Sequence, residues 1–160
     1  MPLIELETEI RALISRVFEL ARSIDAHAAS TSESGERAVA SRTSGLIELG
    51  EAVTWEATHF GVKQRLSVEI SEFQPPVLFR DRMISGAFAS MDHIHRFEKT
   101  PNGTCMRDAF AFVAPLGILG RLAENLFLTR YMRKFLSSRN GILKQVAESD
   151  EWVRYLPNES

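Results

Sequence analysis

The chain has 160 residues, 44% of them hydrophobic and 25% charged, the size and balance of one globular domain with a substantial core. Nineteen basic residues against 21 acidic ones give a net charge of −2, so no electrostatic footprint for nucleic acid or an anionic membrane is present. A single cysteine, Cys105, excludes an internal disulfide and gives no sign of an oxidising compartment.

Leu3 to Ile10 mixes apolar and acidic residues in partial alternation, which predicts a first strand with one buried face. The start lacks the basic and apolar regions of a secretory signal, so a cytoplasmic protein is expected. From Leu13 the period changes: Leu13, Ile14, Val17, Phe18, Leu20 and Ala21 form an apolar stripe at helical spacing. Ser23 can cap a second short helix carrying Ala26, His27 and Ala28. Ser30 to Arg37 is polar and reads as an exposed loop.

Strands follow in quick succession. Leu46 to Glu51 leads into Ala52–Phe60, where Val53, Trp55, Ala57 and His59 share a face. Leu66, Val68 and Ile70 alternate with polar residues in the next strand, which closes at Gln74-Pro75-Pro76. Val77 to Met83 puts Phe79, Asp81 and Met83 on one face. Ala87 to Phe97 ends in Lys99-Thr100-Pro101-Asn102-Gly103, a hairpin turn, and Thr104 to Val113 is its partner. Strands joined by such short connections are antiparallel.

After Pro115 the pattern is helical. Leu119, Leu122, Leu126, Phe127, Tyr131, Phe135, Leu136, Leu143 and Val146 recur mostly three or four apart, across Asn140-Gly141, where a kink rather than a stop is expected. Arg130, Arg133, Lys134 and Arg139 read as the wet side of this helix. The longest apolar run, Ala109 to Leu119, is too short to span a bilayer, so no integral membrane association is expected. The domain is taken as residues 1–150, with 151–160 a polar, loosely held tail.

The order is therefore strand, two helices, about six strands, long helix. It predicts an α+β helix-grip fold: a curved antiparallel sheet of about seven strands around one C-terminal helix. One helix cannot fill the concave side of so large a sheet, so a central apolar cavity is expected.

Several segments carry a resemblance. They are Val17-Phe18-Glu19-Leu20 after the opening strand, Ser44-Gly45-Leu46-Ile47-Glu48-Leu49-Gly50-Glu51, and Val53-Thr54-Trp55. Phe79-Arg80-Asp81 with Gly86-Ala87-Phe88, His93-Ile94-His95-Arg96-Phe97 and Pro115-Leu116-Gly117-Ile118-Leu119-Gly120 complete the set. Together they resemble the SRPBCC or START-like helix-grip superfamily, over nearly the whole chain, and most of all its bacterial polyketide cyclase/dehydrase-like branch. The resemblance implies a hydrophobic ligand held between sheet and helix. Catalysis belongs to some branches only, and no catalytic motif transfers residue by residue.

Four polar residues fall on strand faces assigned inward from their apolar neighbours: Asp81 with Phe79, His93 and His95 with Met91 and Phe97, and Asp108 with Met106, Phe110 and Phe112. His59, in phase with Val53 and Trp55, can join them. Val53, Trp55, Leu66, Val68, Phe79, Met91, Phe110, Phe112, Leu119 and Leu126 are the expected walls. Two roles fit the polar set. It can orient the head group of a lipid, polyketide or aromatic ligand. Alternatively, a histidine base oriented by an aspartate can drive cyclisation or dehydration. A regulatory module that meets a protein partner is a third reading, and a homodimer is compatible with all three.

His93-x-His95 spaces two imidazoles by about 7 Å along one strand face, and His59 or Asp108 would complete a zinc-type set. With no cysteine ligand pattern behind so short a motif, no metal and no cofactor is assigned. Cys105, in phase with Arg107, is expected to be an inert thiol. Gly117 and Gly120 lack the lysine and hydroxyl of a phosphate loop, and there is no Gly-x-Ser-x-Gly elbow.

Overall fold

The computed structural model describes residues 2–156. Seven strands form one antiparallel sheet: β1 (Leu3–Ile10), β2 (Arg37–Ser41), β3 (Ala52–His59), β4 (Val62–Gln74), β5 (Leu78–Gly86), β6 (Ser90–Thr100) and β7 (Gly103–Val113). Their spatial order is β1-β7-β6-β5-β4-β3-β2, a meander from β2 to β7 closed by the first strand against the last. The alternation in the sequence is what fixes this. Every second residue of β7, from Thr104 through Met106, Asp108 and Phe110 to Phe112, is buried. The β6–β7 hairpin turns at Gly103, whose φ of 152° is open to glycine alone. A Cβ there would lie 2.2 Å from the Ile10 carbonyl oxygen, so β1 can close on the hairpin only over a bare backbone. Register shifts between Ala38 and Ala40 on β2, and at two points on β4, bend the sheet.

Two short helices, α1 (Ile14–Ala21) and α2 (Ile24–Ser30), follow β1. Ser23 caps α2 through its side chain, accepting the Ala26 N–H at 3.1 Å. The apolar stripe of α1 buries Val17, Phe18 and Leu20 against β6, β7 and the C-terminal helix. Phe18 is the centre of this core, with Phe73, Phe79 and Phe97 packed 5.3–5.6 Å from its ring centroid. The C-terminal segment is α3 (Gly117–Ala123), a π-helical turn (Glu124–Leu128) and α4 (Thr129–Glu148). Sheet around helix is the helix-grip arrangement expected from the sequence.

The outer face carries charge. Glu56 on β3 pairs with Arg37, Arg65 and Lys63, while its neighbours Trp55 and Ala57 line the inside. Arg80 pairs with Asp92 and Arg107 with Glu7 and Glu98 in the same outward fashion.

Some expectations fail for identifiable reasons. Leu46 to Glu51 is not a strand. It forms one bridge to Ser23 and then a turn, held where Ile47 N–H reaches the Arg22 carbonyl. The strand lies earlier, at β2. The supposed loop ahead of it holds a 3-10 turn (Ser32–Ser34), with Ser30 and Thr31 buried because their hydroxyls bond back to the His27 carbonyl. Arg139 is not on the wet side of the helix; it is buried beside Asn140. The helix continues through Gly141 to Glu148. Of the expected tail, Asp150–Arg154 forms a 3-10 turn, Leu156 is buried, and Trp152 lies under the Arg16 guanidinium at 4.1 Å. Residues 157–160 lie outside those described.

Candidate functional site

Between the sheet and the α3–α4 segment lies a cavity of about 390 Å³, within the range of small-molecule sites. Its walls are mostly apolar and aromatic: Val53, Trp55, Leu66, Val68, Phe79, Met91, Phe110 and Leu136 among them. Leu116, Leu119 and Phe127 belong to the lining and are also exposed to solvent, which marks that end as the mouth.

Strand pairing assembles the polar set. Asp81 on β5 sits opposite His93 on β6, and His95 sits opposite Asp108 on β7. An ionised carboxylate can only accept, so the histidine nitrogens facing these oxygens carry protons. His93 Nε2 donates to Asp108 Oδ1 at 2.8 Å, and His95 Nε2 donates to Asp81 Oδ1 at 2.9 Å. His95 Nδ1 lies 3.0 Å from the same Asp108 oxygen, close enough to attract but off-line for a hydrogen bond. The helix completes the network. Arg139 donates to Asp108 Oδ1 at 3.2 Å, Asn140 Nδ2 donates to Oδ2 at 2.6 Å, and Arg139 is tied to Asn140 Oδ1. Phe79 stacks on the His95 ring at 4.2 Å.

The electrostatics divide the two imidazoles. Burial, with the adjacent His95 charge, pushes His93 down to about 4, so it is neutral. Burial also acts to lower His95, but its contacts with Asp108 and Asp81 outweigh that and raise it above its ordinary value. Burial works to raise both carboxyls. For Asp108 the His93 hydrogen bond, the close His95 contact and the Arg139 charge overcome it and hold the group well below the usual range. For Asp81 the His95 hydrogen bond, with the neighbouring histidines and Arg139, outweighs it and leaves the group below its ordinary value. His93 thus has Nε2 committed to Asp108, and Nδ1 is an acceptor with no partner among the described residues.

Of the sequence-predicted residues, Trp55, Phe79, Asp81, Met91, His93, His95 and Phe110 line the cavity, with Leu119 at its mouth. Asp108 stands behind the histidines with its side chain fully buried, anchoring them without facing the space. Phe112 is fully buried and not in the lining. Leu126 is 68% exposed and also outside it. The π turn is the cause: an added residue in one turn rotates what precedes it by about 100° relative to the stripe that follows. His59 lines the cavity but does not join the aspartate–histidine set; its Nδ1 meets the Tyr131 hydroxyl at 2.5 Å. Cys105 is buried on the outer side of β7, and burial and Glu9 push its thiol up to about 11.

Asp81, His93 and His95 also bring three potential ligand atoms within 4.8 Å of one another. Within this set the His95–Asp81 hydrogen bond joins two of the three, and His93 is turned through Nε2 to Asp108.

Sequence reasoning missed Arg139, Asn140, Tyr131 and a second group near β2. There Glu36 contacts His27 Nε2 through Oε1 at 3.2 Å, and His27 stacks on Trp55 at 4.2 Å. Strand phase is the signal that could have found Glu36, which stands two residues before Ala38, the partner of Trp55.

The helix-grip fold of this chain is shared with solved structures. No family model matches the chain, and no curated protein matches it. Among solved structures it is similar to the protein TTHA0849 from Thermus thermophilus, at 22% identity over 99% of this chain and 100% of that one, with a TM-score of 0.74. It is also similar to the ginseng major latex-like protein 151 from Panax ginseng (14% identity, 91% and 97% covered, TM-score 0.67). A START superfamily protein from Mycobacterium smegmatis is similar too (11% identity, 90% and 98% covered, TM-score 0.67). At these identities the likeness is one of fold.

Proposed function

We propose that this protein binds a small, predominantly apolar molecule in the cavity, with the Asp81–His93–His95 wall orienting its polar end. The observation that carries this reading is the cavity itself: an apolar space of about 390 Å³ whose few polar groups converge on one wall. Aromatic and aliphatic side chains supply the favourable burial, and the unpartnered His93 Nδ1 supplies an acceptor for a hydroxyl or amide of the ligand. Native mass spectrometry of the purified protein, followed by extraction, tests it. A lipid, polyketide or aromatic molecule at stoichiometric level is the expected result. A protein that stays empty and takes up none of a panel of such molecules contradicts it.

A second reading, chemistry of the cyclisation or dehydration type, draws on the division between the imidazoles. A neutral His93 anchored by Asp108 has the form of a base with its orienter, and the more basic His95 that of an acid. The two readings separate on His93→Ala. A binder loses affinity and has no turnover to lose, whereas an enzyme loses turnover of the extracted molecule with affinity little changed.

A further inference from the structure

We infer that the cavity has a second polar end, at Glu36, built to accept a hydrogen bond from a hydroxyl or ammonium group of the ligand. This rests on the binding reading above and narrows it from any apolar molecule to one with a donor group away from the Asp81–His93–His95 wall.

The argument starts from an unmet requirement. Glu36 follows the 3-10 turn, where Gly35 adopts a left-handed conformation (φ 66°) and reverses the chain into β2. The carboxylate is thereby carried in among His27, Trp55, Ala57 and His59 on the cavity lining. Its side chain is only 10% exposed. One oxygen, Oε1, meets His27; the other, Oε2, is buried and has no hydrogen-bond partner among the described residues. Buried carboxylate oxygens are nearly always satisfied, because leaving one bare costs more than a hydrogen bond returns. The group stays ionised all the same. Burial acts to raise it, and His27 outweighs that and leaves it below its ordinary value. A charged, unmatched oxygen on a residue of the cavity lining calls for a donor.

The surroundings set the chemistry of that donor. His59 and the Tyr131 hydroxyl satisfy each other, and both feel the Glu36 charge. The ring of Tyr131 packs on Phe60 at 4.4 Å, near the mouth. Anionic head groups are disfavoured at this end, while an alcohol or a protonated amine supplies the missing bond.

Displacement of the apolar fluorescent probe N-phenylnaphthylamine from the full-length protein, by dodecylamine, dodecanol and dodecanoate, tests the inference. Wild-type protein is expected to bind the amine and the alcohol about tenfold more tightly than the carboxylate, the worth of one charge-assisted hydrogen bond. Glu36→Gln, which keeps an acceptor and removes the charge, should cut the preference for the amine about tenfold and leave the alcohol within a few-fold. Glu36→Leu should lose both preferences while retaining the probe. Probe binding by each variant reports that the cavity is intact. If the probe binds wild type and both variants and the preference order does not move, the Glu36 inference is wrong and the binding reading stands. If wild-type protein binds neither probe nor any alkyl ligand, both fall together.

Discussion

Two buried carboxylates in this molecule make opposite arrangements. Asp108 has both oxygens engaged, by His93, Arg139 and Asn140, and does not touch the cavity. Glu36 lines the cavity and has one oxygen bare. The difference separates architecture from recognition. A saturated carboxylate is a brace that holds its neighbours in place, and an unsaturated one is an acceptor that folding alone does not match.

The comparison breaks most visibly at Asp108. Asp108→Ala leaves the Arg139 guanidinium buried and uncompensated, and should cost about 3–5 kcal/mol in urea unfolding. Next in size is an acid limb. His93 has a folded value of about 4 against 6.5 in the unfolded chain, so its contribution is complete above pH 6.5. As pH falls from 6.5 toward 4, the unfolded state takes up a proton the folded state refuses, a loss of up to about 3 kcal/mol. His95 works the other way. Its raised value makes its contribution complete below 6.5 and lost as pH rises through the folded value. Denaturant unfolding across pH should therefore show His93→Gln flattening the acid side and His95→Gln the alkaline side. At the other end of the cavity the effects shrink. Tyr131→Phe removes the hydroxyl that meets His59 and should lower the thermal midpoint by the equivalent of about 1 kcal/mol. Glu36→Gln should change unfolding free energy by less than about 1 kcal/mol, since the amide oxygen still accepts from His27 and Oε2 has no protein bond to lose. A large destabilisation there would make Glu36 a second brace and erase the contrast.

What was legible in the sequence came through strand phase. Asp81, His93, His95 and Asp108 can be placed on one surface because a strand turns alternate side chains to the same side, and the short β6–β7 turn fixes which residues face each other. The helix says less. Its apolar stripe predicts the element but not its rotation about the axis, so it puts Arg139 on the wet side and Leu126 in the wall, the reverse of where they lie. The π turn that resets this rotation is a hydrogen-bond pattern no residue type announces. The edge strand β2 escapes notice because Arg37-Ala38-Val39-Ala40-Ser41 is short, small-chained and bulged. With it goes Glu36, whose charge argues for a loop although the turn at Gly35 carries it inward.

The split between the two faces of β3 has a consequence for how such a protein diversifies. Glu56 and its cationic partners pair on the outside of the strand, while Trp55 and Ala57 line the cavity on the inside. The residues that carry the outer ion pairs and those that line the cavity are interleaved one by one along the same strand, yet they point to opposite sides of it. Substitution at alternate positions can therefore reshape the cavity without removing the ion pairs on the outside of the wall.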